Sequence, residues 1–263
     1  MVKEQKTADV SFESLLKIFT VPEGPDSTLT KIDESLSRNL NQFLREHIVA
    51  EEKPLREIEK DFSSAQIPEQ PEFVSDHTEH LLDTLVSHSV HTSAPSFIGH
   101  MTSALPYFLM PLSKIMIALN QNLVKIETSK AFTPLERQVL GMLHRLIYGQ
   151  NDKFYRKWMH SANHSLGAFC SGGTIANITA LWVARNKALK ADGAFNGVEK
   201  EGLFKAMKHY GYEGLAVLVS ERGHYSLKKA ADVLGLGQEG LVAVKTDANN
   251  RIVVDDLKQN CRA

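Results

Sequence analysis

The sequence predicts an α/β fold with a helical segment ahead of it, on three observations. Short apolar runs, Leu166 to Cys170, Leu215 to Ser220 and Leu241 to Val244, have the length of buried strands. Segments of helical character separate them, which is the signature of a layer of largely parallel strands. The first third carries only helical periodicity. With 263 residues, 43% of them hydrophobic, the chain has enough apolar material for a sizeable core.

The elements follow in order. Ile32, Leu36, Leu40, Phe43 and Leu44 recur at helical spacing, with Asp26, Ser27 and Thr28 available as caps. A Pro- and Glu-rich connection, Ser63 to Pro71, marks a joint between an appendage, residues 1–70, and the main body, residues 71–263. A second helix starts near Asp76 and covers Leu81, Leu82 and Leu85. From His88 to Ser103 the chain is rich in Ser, Thr, His and Pro and reads as an irregular loop. A helix is expected from Pro111 to Val124. Another is expected to start at Thr133-Pro134-Leu135-Glu136, with Thr133 as N-cap and Leu140, Leu143 and Ile147 on its buried face. After the first strand, Ser171-Gly172-Gly173 is a turn. Thr174 to Ala191 then reads as a helix with Ile175, Ile178, Leu181, Trp182 and Leu189 inward, and a further helix covers Leu227 to Leu234.

Composition excludes several classes of function. Thirty Lys and Arg against 31 Asp and Glu give a net charge of -1, which does not favour nucleic acid. Two cysteines, Cys170 and Cys261, make no disulfide framework, and a reduced, cytoplasmic setting is expected. Met1 to Ser11 has no apolar core of a secretory signal. The most apolar stretch, Ala104 to Leu119, is broken by Pro106, Pro111 and Lys114, so no membrane span is expected. His77, His80, His88, His91 and His100 cluster in the sequence, but without His-Glu-x-x-His spacing and with the cysteines remote, no metal site is expected.

Two segments carry chemistry. Phe169-Cys170-Ser171-Gly172-Gly173-Thr174-Ile175-Ala176-Asn177 lies between a strand and a helix. Glycines there let the backbone approach a ligand, and the free N–H groups of the first helical turn favour an anion. The segment reads either as a phosphate site or as a tight turn capped by Thr174. Ser220-Glu221-Arg222-Gly223-His224-Tyr225-Ser226 places His224 just past a strand end, where ligands gather in open α/β sheets. Its ring could stack on an aromatic cofactor, shuttle a proton, or be a surface residue. Gly235-Leu236-Gly237-Gln238-Glu239-Gly240 matches a dinucleotide fingerprint by letter only. A helix precedes it and a strand follows, the reverse of what that fingerprint needs, so it reads as a helix C-cap and turn.

Together these segments resemble the group II pyridoxal-phosphate-dependent amino-acid decarboxylases, the family of glutamate, aromatic-amino-acid and cysteine-sulfinate decarboxylases. The resemblance is most specific in Ser171 to Asn177 and Ser220 to Gly237, and extends back through Pro95-Ser96-Phe97-Ile98-Gly99-His100-Met101-Thr102. It covers roughly residues 75 to 260. Ser96 to Asn122 and Glu127 to Glu136 look closest to the branch of bacterial aspartate 1-decarboxylases, which form β-alanine.

The resemblance implies the first part of a fold type I, pyridoxal-phosphate-dependent transferase-like large domain. It implies that Gly172, Gly173 and Thr174 hold the phosphate of pyridoxal 5'-phosphate and that His224 stacks on its pyridine ring. His100 and Thr102 would contact substrate at the active-site mouth. Ala94 departs from the pattern, since the family often has a His before that proline. The activity implied is decarboxylation of an acidic L-amino acid, L-aspartate ahead of L-glutamate, by a homodimer. An aminotransferase and a non-catalytic dimerisation or scaffolding fragment are the alternatives. The family's pyridine-pairing Asp and cofactor-bearing Lys lie on strands later than the point matched by Asp255-Asp256-Leu257, and this chain ends at Ala263. The 263 residues are therefore expected to be the front portion of a longer enzyme and inactive alone.

Overall fold

A computed structural model describes residues 28–45, 50, 52–67, 74–99, 101 and 105–262. Contacts divide the chain into two units, Met1–Asn120 and Gln121–Ala263.

The described residues of the first unit form helices joined by turns and irregular segments. The periodic apolar residues of the first third form α1, Thr28–Arg45. The expected caps Asp26 and Ser27 lie outside the described residues. After the short α2, Leu55–Asp61, residues 63–67 are irregular, as the Pro- and Glu-rich composition predicts, and 68–71 lie outside the described residues. The helix expected near Asp76 is α3, Val74–Leu81, continued by a π-helical turn, Leu82–Val86. Residues 87–99 form turns and bends, and within them the buried His91 lies against Phe43 of α1, ring centres 4.9 Å apart. The apolar stretch forms α4, Leu109–Leu119, which stops where Asn120 turns left-handed at φ 41. No helix among the described residues is long and apolar enough to cross a membrane.

The second unit opens with α5, Ile126–Ser129, and α6, Phe132–Tyr148. Thr133 is not the N-cap of α6. The helix starts a residue earlier, behind Ala131, and the buried Thr133 hydroxyl bonds Ser129 instead. The expected buried face is corrected too: Leu143 and Ile147 are 46% and 73% exposed. Periodicity locates an apolar face, but burial requires a neighbour to cover it. α7, Asp152–Trp158, begins where the Asn151 side chain accepts from Phe154 N–H at 2.9 Å.

Leu166 to Cys170 forms no strand, because no described segment lies beside it to complete a ladder. The alternation beyond it holds. α8, Gly173–Ala188, is followed by α9, Val198–Tyr210, then β1, Val217–Ser220, α10, Ser226–Val233, β2, Leu241–Val244, and α11, Val254–Asn260. β1 and β2 pair in parallel, Val217 opposite Leu241 through Ser220 opposite Val244. The glycine-rich run between α10 and β2 is the expected turn, with Gly235 and Gly237 at φ 74 and 73. Leu189, Phe195, Val198 and Ala206 form a buried cluster between the end of α8 and α9. Ile175 and Trp182, expected inward on α8, are 46% and 51% exposed, whereas Leu189 is fully buried.

α8 packs along α10. Ala230 and Ala231 of α10 are fully buried at 0% exposure. Polar bonds clamp the pair at two levels. Asn177 Nδ2 donates to Ser226 Oγ at 2.8 Å, and Arg185 Nη1 donates to the Leu234 carbonyl at 2.9 Å. Both pairs are 49 residues apart in sequence, so the two helices run in the same direction with matched steps. That is the arrangement of helices on one face of a parallel sheet.

Candidate functional site

The turn before α8 is built to leave donors free. Gly172 is the N-cap and supplies no side-chain bond, and the first helical bond is Ala176 N–H to the Gly172 carbonyl at 3.0 Å. The N–H groups of Gly173, Thr174 and Ile175 therefore precede the helical ladder. A Cβ at Gly172 or Gly173 would meet nothing within 4 Å, so the space in front of them is open. Thr174 lies in the first turn of the helix rather than capping it, and is half-buried. A set of donors at the positive end of a helix dipole, with no acceptor of its own, suits a phosphate.

The strand end presents His224 by a tight turn. Gly223 N–H donates to the Ser220 carbonyl at 2.7 Å. A Cβ at Gly223 would lie 2.9 Å from that carbonyl oxygen and 2.7 Å from Val219, so only glycine fits. Glu221 anchors the turn to the segment just after β2, accepting from the Thr246 N–H at 2.8 Å and from the Thr246 hydroxyl. These bonds hold its carboxyl below the usual carboxylate range, the hydroxyl contributing most, against a smaller opposing effect of desolvation. The His224 ring is exposed and lies 4.1 Å from the Tyr225 ring. Its Nδ1 is 2.8 Å from Ser226 Oγ and accepts from Ser226 N–H at 3.2 Å.

The structure thus gathers Gly172, Gly173 and Thr174 at one helix terminus. It ties His224 to the same helix through Ser226 and Asn177. His100 and Thr102 lie outside the described residues. Asn177, Ser226, Gly223 and Glu221 stood inside the motifs without being singled out. An Asn in the second turn of a helix is a weak helix former, and a Ser two residues after a His favours local bonding; both were available as signals. The lysines near these segments, Lys187, Lys190, Lys228, Lys229 and Lys245, are all exposed.

The fold is that of the fold type I pyridoxal-dependent enzymes. It superposes on the glutamate decarboxylase domain of a Vibrio parahaemolyticus diaminobutyrate-pyruvate transaminase and L-2,4-diaminobutyrate decarboxylase with a TM-score of 0.73 at 17% identity, covering 95% of this chain and 51% of that one. Residues 54–263 match the pyridoxal-dependent decarboxylase conserved domain, and the chain belongs to that family. It is 79% identical over 258 residues to the aspartate 1-decarboxylase of Aliivibrio fischeri, covering 98% of this chain and 47% of that protein. It is 28% identical over 179 residues to the acidic amino acid decarboxylase GADL1 of Xenopus tropicalis, covering 68% of this chain and 30% of that protein. The chain thus spans about half the length of the first relative and less of the second.

Proposed function

We propose that this chain is part of an enzyme that decarboxylates an acidic L-amino acid, with L-aspartate to β-alanine as the reaction and L-glutamate to 4-aminobutyrate as the alternative substrate use. The observation that carries this reading is the 79% identity to an aspartate 1-decarboxylase across 98% of the chain. The donor set at α8 supports it, because it fits the phosphate of pyridoxal 5'-phosphate. Bound there, the cofactor supplies an electron-poor ring that takes up the electron pair released as carbon dioxide leaves.

The residues of this chain have roles of binding and orientation. The N–H groups at Gly173 and Thr174 and the Thr174 hydroxyl donate to the phosphate, and Gly172 keeps the approach clear. The His224 ring sets the plane against which the bond to the departing carboxylate stands perpendicular. His100 and Thr102 contact the substrate, His100 offering a donor to its side-chain carboxylate. The same proposal includes a helical appendage, residues 1–70, before the cofactor-binding domain, residues 71–263, and a cytoplasmic homodimer.

The test is carbon dioxide release by the full-length enzyme loaded with pyridoxal phosphate, with L-aspartate and L-glutamate supplied separately. A higher kcat/KM for L-aspartate is the expected result. Preference for L-glutamate overturns the substrate, and release from neither overturns the activity.

A further inference from the structure

We infer that Asn177 and Ser226 are positioning residues that fix the tautomer and tilt of the His224 ring from the helix that presents the phosphate donors. This rests on the reading of His224 as the ring that lies against the cofactor. The His224 side chain is exposed, so packing alone does not hold it. Its Nδ1 accepts from the Ser226 backbone N–H at 3.2 Å, and a backbone N–H can only donate. In the neutral ring, Nδ1 therefore carries the lone pair and Nε2 carries the proton.

Ser226 Oγ reinforces that choice. It lies 2.8 Å from the same Nδ1 and accepts from Asn177 Nδ2 at 2.8 Å, which leaves its own proton directed to the ring. Ser226 is fully buried at 0% exposure, so its hydroxyl has no solvent partner to turn toward. Asn177 stands three residues after Thr174, on the same side of α8. One helix thus carries the phosphate donors and, through two hydrogen bonds, orients the ring. The outward group of His224 is then an N–H donor at Nε2.

The experiment uses the full-length enzyme labelled with 15N-histidine, apo and loaded with pyridoxal phosphate, with the His224 signals assigned by their loss in His224→Ala. The wild type is expected to show a protonated Nε2 and a bare Nδ1 in both forms. Ser226→Ala and Asn177→Ala keep the backbone N–H but remove or release the hydroxyl donor. They are expected to raise the Nδ1–H fraction above that of the wild type and to lower kcat about threefold to tenfold, the range one neutral hydrogen bond supports, with cofactor occupancy and KM nearly unchanged. Asn177→Asp offers an acceptor in place of the donor. It draws the Ser226 proton away from the ring and is expected to shift the population toward Nδ1–H. Variants that lower the melting temperature while the tautomer stays as in the wild type overturn the inference, as does a mixed tautomer in the wild type. Failure of the wild type to retain pyridoxal phosphate is a separate result that overturns the cofactor reading, because the tautomer is read in the apo form as well.

Discussion

α6 and α10 belong to the same unit and are covered to different extents. α6 carries Leu135, Met142, Leu143, Leu146 and Ile147, all between 46% and 82% exposed. α10 buries Ser226, Ala230 and Ala231 completely. α6 buries Thr133 and Gly141 alone, and α8 too leaves Ile175 and Trp182 exposed; the buried apolar residues Leu189, Phe195 and Val198 lie where α8 ends and α9 begins. Hydrophobicity creates a tendency to be covered, but the neighbour decides whether it is realised. α10 lies close enough to α8 for Asn177 and Arg185 to reach across. The clamped pair holds the candidate site, and α6 does not.

Substitutions can break or sharpen that contrast. The largest effect is expected at His224, which the pair holds in place. His224→Ala in the full-length enzyme should lower kcat by about 100-fold, the scale of a misplaced reacting group, with a nearly unchanged melting temperature. Near-normal turnover would remove the ring from the site.

Thr174→Ala comes next. The N-cap is Gly172, so the Thr174 hydroxyl has no capping role to lose. Stability should change by no more than about 0.5 kcal/mol, while a lost bond to a charged phosphate weakens cofactor binding about tenfold or more. Cofactor occupancy after dialysis, measured beside the melting temperature, separates the two. A large melting shift at full occupancy would make Thr174 a structural residue.

Full burial predicts that Ala231→Leu destabilises by about 1–3 kcal/mol through overpacking. Leu146→Ser, on the exposed face of α6, should stay within about 0.5 kcal/mol. Denaturant unfolding of the 263-residue chain measures both. The same Leu146→Ser in the full-length protein is the sharper arm: a cost well above that in the shorter chain would show that the face is covered there.

The smallest effect concerns pH. The Glu221 carboxyl is held low in the folded chain by Thr246. Its contribution is therefore present above the unfolded value of roughly 4.3 and fades as pH falls through the lower folded value. Melting temperature measured downward from about pH 6 to about pH 3 should fall less steeply in Glu221→Gln than in the wild type. Parallel curves would show that the tie to Thr246 adds nothing.

Much of the fold was legible because it depended on local pattern. The run Leu241–Val244 is β2 residue for residue, and the glycines after α10 form the turn that their position after a helix implied. The misses were matters of partnership. Leu166 to Cys170 has the composition of a strand, yet a strand is a pairing, and no described segment pairs with it. Thr133 has the chemistry of an N-cap, but Ser129 engages its hydroxyl and α6 starts earlier. The site was legible at Gly172, Gly173, Thr174 and His224 as candidates, because glycine before a helix and histidine after a strand are local signals. The bridge between them was not, since Asn177 and Ser226 are separated by 49 residues and meet only after α8 and α10 have packed.

The equal separation of the two clamps has a consequence for how this region can change length. A residue added to the irregular segment between α9 and β1 lengthens both separations together, and both bonds still form. A residue added inside α8 between Asn177 and Arg185 turns one rung by about 100° relative to the other, and one bond is lost. Insertions in the irregular part of the connection, between α9 and β1, therefore leave both clamps intact, whereas insertions inside the helix do not. The two rungs act as a register gauge: they leave the length of the irregular segment before β1 free and fix the phase of the helix beneath the histidine.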